Sequence, residues 1–395
     1  MTASPHRAHW DLDPAVTFLN HGSFGATPRA IREEQQAWQA RLEAEPVRFL
    51  HRELEGHLDH ARRALAAFLR ADAEGISFVP NATTGVNTVL QRIPLAPGDE
   101  VLCTDQEYNA SRNALVFAAE RAGARVVVVP VPFPIDGPEP VIGSILAGVS
   151  ERTRLVLIDH VTSQTGMILP VPELVAALDA RGIDTLVDGA HAPGQLDLDL
   201  TALGAAYYTG NCHKWLCTPK GSAFLHVRAD RRDLIRPLVI SHGANATRTD
   251  RSRFRIEHDW IGTLDPSAWL CIPAAIAFMG SLFEGGWDGL RAHNHDLVVR
   301  GRALLLDALD VEAPCPESML GSLASIPLPD GKGTEVSPLG LDPLHTALFE
   351  REGIEVPVMP WPHPPRRLVR ISAQAYNDVR QYETLAAALP RHLRA

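Results

Sequence analysis

Short apolar runs alternate with stretches of helical spacing through much of this chain. Runs at 76–79, 101–104, 125–129, 155–159 and 185–188 predict strands, and 84–91, 111–122 and 172–181 between them predict helices. Two more apolar runs, at 205–208 and 224–227, continue the series. Such alternation predicts an α/β architecture, a mostly parallel central sheet flanked by helices. Ahead of it, Leu54, Leu58, Ala61, Leu65 and Leu69 recur at helical spacing and form one stripe for burial. Residues 11–25 read as an extended arm, and Pro28 sits where a first helical turn accepts proline.

The pattern changes past Gly285-Gly286, after a predicted long connecting helix over 267–283. Beyond it, 323–326 and 368–371 predict strands, 344–352 and 376–389 predict helices, and 357–365 reads as a structured proline-rich loop. The expected division is an N-terminal arm over 1–25 that joins the small domain, a large domain over 26–284 and a smaller C-terminal α+β domain over 285–395.

Composition narrows the function classes. The chain has 395 residues, 45% of them hydrophobic, enough for a large core. Its net charge of −10 and pI near 5.9 argue against nucleic acid or an anionic membrane as partner. Cys103, Cys212, Cys217, Cys271 and Cys315 are odd in number and scattered, which argues against a disulfide framework. Cys212 and Cys217 lack the partners and spacing of a zinc site, and no metal is expected. A reducing cytoplasm fits this cysteine usage. Met1 to Trp10 lacks the apolar core of a signal peptide, and no apolar run is long enough to span a bilayer.

Lys214 carries the most chemistry. It lies in Tyr208-Thr209-Gly210-Asn211-Cys212-His213-Lys214-Trp215, just after a strand-like run. A partly buried lysine has a depressed pKa and is nucleophilic when neutral. Asp188 closes another strand and opens into Gly189-Ala190-His191. A lysine and an aspartate at two strand ends are what a pyridoxal phosphate enzyme requires. The amine joins the cofactor aldehyde, and the carboxylate keeps the pyridine nitrogen protonated. The competing reading of Asp188 is a cap on the next helix. The turn Pro80-Asn81-Ala82-Thr83-Thr84-Gly85, between strand and helix, offers free amides and two hydroxyls to a phosphate. Asn81 or Thr83 as a plain helix cap is the alternative. Tyr108 follows the 101–104 strand, where an aromatic can stack on a flat ring, and His191 or Ser163 can reach a ring hydroxyl. A surface aromatic and a structural histidine compete with these. Arg370, inside the apolar strand Leu368-Val369-Arg370-Ile371-Ser372, suits a substrate carboxylate with its planar fork, against the alternative of a structural ion pair.

Taken together, Ala82-Thr83-Thr84, Asp188-Gly189-Ala190-His191, Gly210-Asn211-Cys212-His213-Lys214 and Arg370-Ile371-Ser372 resemble the class V aminotransferase family of pyridoxal phosphate fold type I, over about 15–390. Leu19-Asn20-His21-Gly22-Ser23-Phe24-Gly25 and the wording from Gly210 to Leu216 are most similar to its isopenicillin N epimerase branch. The resemblance implies Lys214 as the Schiff-base lysine, Asp188 as the pyridinium partner and Tyr108 at the ring-stacking position. It implies Ala82, Thr83 and Thr84 at the phosphate turn with Thr209 and His213 nearby, and His191, with Ser163, near the ring hydroxyl. Gly262-Thr263 resembles a segment that reaches the phosphate from a neighbouring subunit, which implies a homodimer with the site at its interface. Arg370 matches the carboxylate-binding arginine, and Asn20, His21 and Gly22 are assigned to the substrate.

The reaction implied is that of an epimerase or racemase on an amino-acid-type substrate. An external aldimine forms, Lys214 removes the α-proton to give a carbanion, and Tyr108 or His21 delivers a proton to the opposite face. A C–S β-lyase acting on cysteine conjugates or sulfoxides, as in a hercynylcysteine sulfoxide lyase, shares every step up to the carbanion. Cysteine desulfurases carry a nucleophilic cysteine shortly before the carboxylate arginine. The stretch Gly353-Ile354-Glu355-Val356-Pro357-Val358-Met359-Pro360-Trp361 has none, so a persulfide-forming desulfurase is not expected.

Overall fold

The computed structural model describes residues 4–331 and 341–394. The arm is extended only in part. It carries a short 3-10 turn (Pro5–His9), the two-residue strand β1 (Thr17–Phe18) and one helical turn (His21–Phe24). Buried Trp10 anchors it, its indole N–H donating to Ala26 O at 3.1 Å. Two helices follow, Arg29–Ala44 and Leu54–Leu69. The second buries Leu54, Leu58, Ala61, Leu65 and Leu69, the stripe its sequence spacing marks.

The central sheet has seven strands: β2 (Ile76–Val79), β3 (Glu100–Thr104), β4 (Arg125–Val129), β5 (Thr153–Asp159), β6 (Asp184–Asp188), β7 (Tyr207–Asn211) and β8 (Ala223–Val227). Their order is β2-β8-β7-β6-β5-β3-β4. β3 to β7 run parallel to their neighbours, and β8 is antiparallel to both β7 and β2. Every residue of β2, β3, β7 and β8 is buried, as a sheet covered on both faces requires. β7 extends to Asn211, past the apolar run that announces it. Thr209, Gly210 and Asn211 are polar or small, yet they continue the ladder opposite Leu225, Phe224 and Ala223.

The expected helix over 267–283 is two pieces, Ser267–Leu270 and Ile272–Gly280. Pro273 at the start of the second has no N–H to continue the first. A 23-residue helix, Trp287–Leu309, comes next and was not anticipated from the sequence. Strand β9 (Leu323–Leu328) follows, then helix Pro343–Glu352, β10 (Ile354–Glu355), β11 (Val358–Pro360) and β12 (Arg367–Ser372). β11, β12 and β9 form an antiparallel sheet, and β10 pairs in parallel with β1 of the arm. The last helix begins at Val379, not at Tyr376, which lies buried in the preceding turn. Among the described residues no helix is long and apolar enough to cross a membrane.

Parallel strands aim their C-terminal ends at one edge of the sheet, where α/β proteins bind ligands. The segments leaving β3, β5, β6 and β7 therefore converge, and with them Tyr108, Asp159, Asp188 and Lys214.

Candidate active site

A cavity of about 370 Å³ opens at that edge, walled by Thr83, Tyr108, Asp188, His191, His213 and Lys214 among others. Lys214 sits in a turn closed by Cys217, whose N–H donates to Lys214 O at 3.1 Å. Two glycines let other segments press on this turn. Gly25 has φ 70°, and a Cβ there would lie 2.1 Å from His213 O. Gly194 has φ 90°, and its Cβ would lie 2.6 Å from the Trp215 carbonyl carbon. The lysine backbone is thus clamped between the arm and the segment after β6.

Lys214 Nζ lies 3.0 Å from His191 Nε2. Burial, helped by the positive charge of Arg370, lowers Lys214 to about 7. Burial, and then Lys214, holds His191 well below the usual histidine range, so its ring is neutral. In the tautomer in which Nε2 accepts from Lys214, Nδ1 carries the proton. That nitrogen is buried and has no partner among the described residues.

Asp188 is buried and fixed by two donors, Ser111 Oγ at 2.7 Å and Ala190 N at 3.0 Å. Burial raises its pKa, and those donors and Lys214 oppose the rise. Asp188 therefore caps the turn and also faces the cavity; the two readings of its sequence coexist. Asp159 lines the same cavity and accepts from Tyr108 N at 3.1 Å. Glu107 stands behind them, buried. Sequence reasoning passed over both, although Asp159 closes the apolar run 155–159 as Asp188 closes its own.

Arg370 is 2% exposed and makes no ion pair among the described residues. One terminal nitrogen donates to the Ser163 carbonyl, the other to Ser23 Oγ at 3.0 Å, and Nε has no partner. Burial lowers its pKa to about 10, so it stays charged. The structural ion pair offered as its alternative is absent, and a buried guanidinium left in this state calls for an anion.

The phosphate turn is more committed than the sequence suggests. Asn81 caps the helix Ala82–Leu90, accepting from Thr84 N at 2.8 Å and Thr84 Oγ at 3.0 Å. Asn211 Oδ1 takes the Ala82 amide at 2.8 Å. Ala82, Thr83 and His213 line the cavity, whereas Thr84 does not. Thr209 is a packing residue: its hydroxyl donates to Phe224 O at 2.7 Å, and the helix rests on it at Gly85.

Other expected residues are displaced from the cavity. His21 is fully buried behind the lysine, with Nδ1 2.8 Å from Tyr376 OH and Nε2 3.0 Å from Lys214 O. Asn20 donates to Glu355 Oε1 at 2.7 Å, and Gly22 N donates to Ser372 Oγ at 3.1 Å. The two residues that follow, Ser23 and Phe24, are the ones that reach the cavity. Ser163 lines it too, its carbonyl taken by Arg370. Gly262 and Thr263 lie outside the lining.

The residues present fit pyridoxal phosphate. An orphaned buried imidazole nitrogen and two cavity-facing carboxylates are groups that a pyridinium phenol would satisfy, while Arg370, outside that lining, keeps a buried Nε without a partner among the described residues. Fold and family agree that this is a pyridoxal-phosphate-dependent enzyme of fold type I. Residues 25–357 match the family model "Aminotransferase class-V", and the chain belongs to that family. It is similar to isopenicillin N epimerase of Amycolatopsis lactamdurans, 36% identical over 97% of this chain and 96% of that one. It is also similar to putative L-cysteine desulfhydrase 2 of Oryza sativa subsp. japonica, 34% identical over 96% of this chain and 85% of that one. Among solved structures, the cysteine desulfurase of Thermococcus onnurineus NA1 superposes with a TM-score of 0.81 at 21% identity, over 100% of this chain and 99% of that one.

Proposed function

We propose that this protein acts at the α-carbon of an amino-acid substrate and epimerises or racemises it. The observation that carries the reading is the placement of Tyr108 and Lys214. The strand order β3-β5-β6-β7 sets them on either side of Asp159 and Asp188, and both line the cavity. Inversion needs a proton group on each face of the reacting carbon, and we assign those two roles to Lys214 and Tyr108.

In this reading Lys214 holds the cofactor through its amine, Asp188 meets the ring nitrogen, and Thr83 and His213 stand near the phosphate. Ala82 belongs to the same turn. Tyr108 covers a ring face. His191 and Ser163 serve the ring hydroxyl. When bound, the cofactor supplies an electron sink for negative charge at the substrate α-carbon. Arg370 holds the substrate carboxylate in its fork. Lys214, neutral in a large fraction of molecules near pH 7, takes the α-proton on Nζ while His191 orients it. Tyr108 returns a proton from the other side. His21 is not assigned this step, because both its ring nitrogens are engaged. We assign Gly262 and Thr263 to a partner subunit's cavity in a homodimer, on the resemblance alone.

A β-elimination that breaks a C–S bond is the second reading. It is favoured by the 34% identity to a chain named L-cysteine desulfhydrase, and it requires no thiol nucleophile. We read the chain as forming no persulfide. All five cysteines are buried, and burial pushes Cys103, Cys212, Cys217 and Cys271 up to about 12, the wrong direction for a nucleophile.

The test is a screen of amino acids and their S-conjugates in deuterated buffer, read together for α-deuterium exchange, inverted product and pyruvate. Exchange with inversion supports the first reading, and pyruvate supports the second. Absence of exchange and of pyruvate with every compound refutes both.

A further inference from the structure

At the cavity wall, Asp159 and Asp188, with Glu107 behind them, bring carboxyl oxygen atoms within 4.8 Å of one another. All three are buried. Asp188 has Ser111 Oγ and Ala190 N as donors, and Asp159 has the Tyr108 amide. Glu107 has nothing: both of its oxygens are buried and without a partner among the described residues.

Three ionised carboxyls this close in a dehydrated site repel one another strongly, so the cluster must retain a proton. The hydrogen-bond pattern says where. Asp188 and Asp159 accept from donors that stabilise the charged form. Neither Glu107 oxygen makes a hydrogen bond among the described residues, and the Asp159 backbone and Arg112 stabilise its charge only in small part, so an ionised Glu107 is the worst placed of the three. A protonated Glu107 has an O–H to give, and carboxylate oxygens of Asp159 and Asp188 lie within 4.8 Å. Asp188 already takes two donors and Asp159 one. The charged and titratable groups around Glu107 come from every packed element: Cys103 on β3, Arg112 on the helix Asn109–Ala122, Asp159 on β5 and Asp188 on β6. Arg112 makes no ion pair with Glu107 among the described residues; one terminal nitrogen donates to Thr104 O at 2.8 Å, its Nε has no partner, and its charge opposes the rise of Glu107. Burial and the neighbouring carboxylate charges push both Glu107 and Asp159 well above the ordinary carboxyl range, which puts a proton in the cluster; the hydrogen-bond pattern is what places it on Glu107.

We propose that Glu107 is a positioning residue that holds the cluster's proton against Asp159, and so sets the charge that Asp159 and Asp188 present to the cofactor's ring nitrogen. The inference rests on the assignment of Asp188 to that nitrogen. With Glu107 protonated the cluster carries two negative charges. In alkali the Glu107 proton passes to hydroxide, forming water, and the cluster carries three. The added charge would lie in the same cluster as Asp188, the residue assigned to the ring nitrogen, and would shift the visible absorption of the bound cofactor.

The experiment is a pH titration of the visible band of cofactor-loaded protein, in wild type, Glu107→Gln and Asp159→Asn, with circular dichroism as a check on folding. Glutamine copies the shape and donor of protonated Glu107 but cannot ionise. The wild type is expected to show an alkaline spectral step that Glu107→Gln lacks, while their neutral spectra match. In Asp159→Asn the negative neighbour that holds the proton on Glu107 is gone, so the step is expected about one pH unit or more lower. A step that persists unchanged in Glu107→Gln, or that fails to move downward in Asp159→Asn, overturns the proposal, as does a wild type with no alkaline step. If Glu107→Gln does not fold, Asp159→Asn alone decides. A wild type that takes up no cofactor counts instead against the functional reading on which the inference rests.

Discussion

Arg370→Met separates binding from stability, because the structure assigns Arg370 opposite effects on the two. Its guanidinium is buried with no counter-charge among the described residues, where it donates to the Ser163 carbonyl, to the Ser163 hydroxyl at 3.5 Å and to the Ser23 hydroxyl. Replacing a buried ion pair by apolar side chains of similar size is often neutral or stabilising by about 1–4 kcal/mol, and relieving the desolvation cost of a lone buried guanidinium acts in the same direction. Against that, the Ser163 carbonyl loses its donor, a cost of about 1–3 kcal/mol. Ser23 loses less, since its hydroxyl donates to Asn20 Oδ1 at 2.5 Å and keeps that bond. The two contributions nearly cancel, so the unloaded variant should keep wild-type stability to within about 3 kcal/mol. Binding should suffer far more. Removing one partner of a buried charge pair costs about 2–5 kcal/mol, or about 30- to 4,000-fold in affinity. The assay is a spectral titration of cofactor-loaded protein with an amino acid and with the matching amine that lacks the carboxylate. The loss should fall on the amino acid alone. Equal losses for both ligands, or a stability loss above about 3 kcal/mol in thermal denaturation, would refute the reasoning, because either marks Arg370 as structural.

Three further outcomes follow from the same geometry. Capture of an aldehyde by Lys214 in the unloaded protein should rise with a midpoint near pH 7, not 10.5, since burial and Arg370 favour the neutral amine. By linkage the unfolded chain binds this proton more tightly, so stability should rise as pH climbs from about 7 to 10.5, and Lys214→Met should flatten that rise; denaturation midpoints against pH check the sign. Gly25→Ala forces a Cβ to 2.1 Å from His213 O at φ 70° and ψ 165°, a region open almost only to glycine. It should cost about 2–5 kcal/mol and impair borohydride trapping of the cofactor on Lys214, read by mass spectrometry. Arg62→Met removes a buried guanidinium that donates to Ile76 O at 2.9 Å and pairs with Asp59 and Asp259. The expected loss, by urea denaturation, is about 3 kcal/mol, at the low end for a broken buried pair, because Arg255 remains beside Asp259.

The fold was legible wherever hydrophobic periodicity was strong. The central strands announce themselves, because a sheet buried on both faces must be apolar nearly throughout, and three of the helices between them do too, whereas the helix Glu139–Gly148 between β4 and β5 did not. The helix Trp287–Leu309 escaped notice because its buried face includes Asn294, Gly301 and Arg302, which blur the apolar stripe. The end of β7 escaped because its last residues are held by ladder bonds, not by apolar burial.

The site divides in the same way. Sequence by itself determined the chemical types: a lysine after one strand, an aspartate closing another, a phosphate-type turn and an arginine within an apolar strand. These are local features, and local signals are enough to mark them. Only the tertiary structure decided which side chains face the cavity. It put His21 behind Lys214, committed Thr209 to a carbonyl of the next strand, and left Arg370 without an ion pair. It also gathered Glu107, Asp159 and Asp188 from three strand ends into one buried cluster. The physical reason is that direction and pairing depend on strand order and on contacts between residues far apart in the chain, and hydrophobic spacing along the chain carries neither.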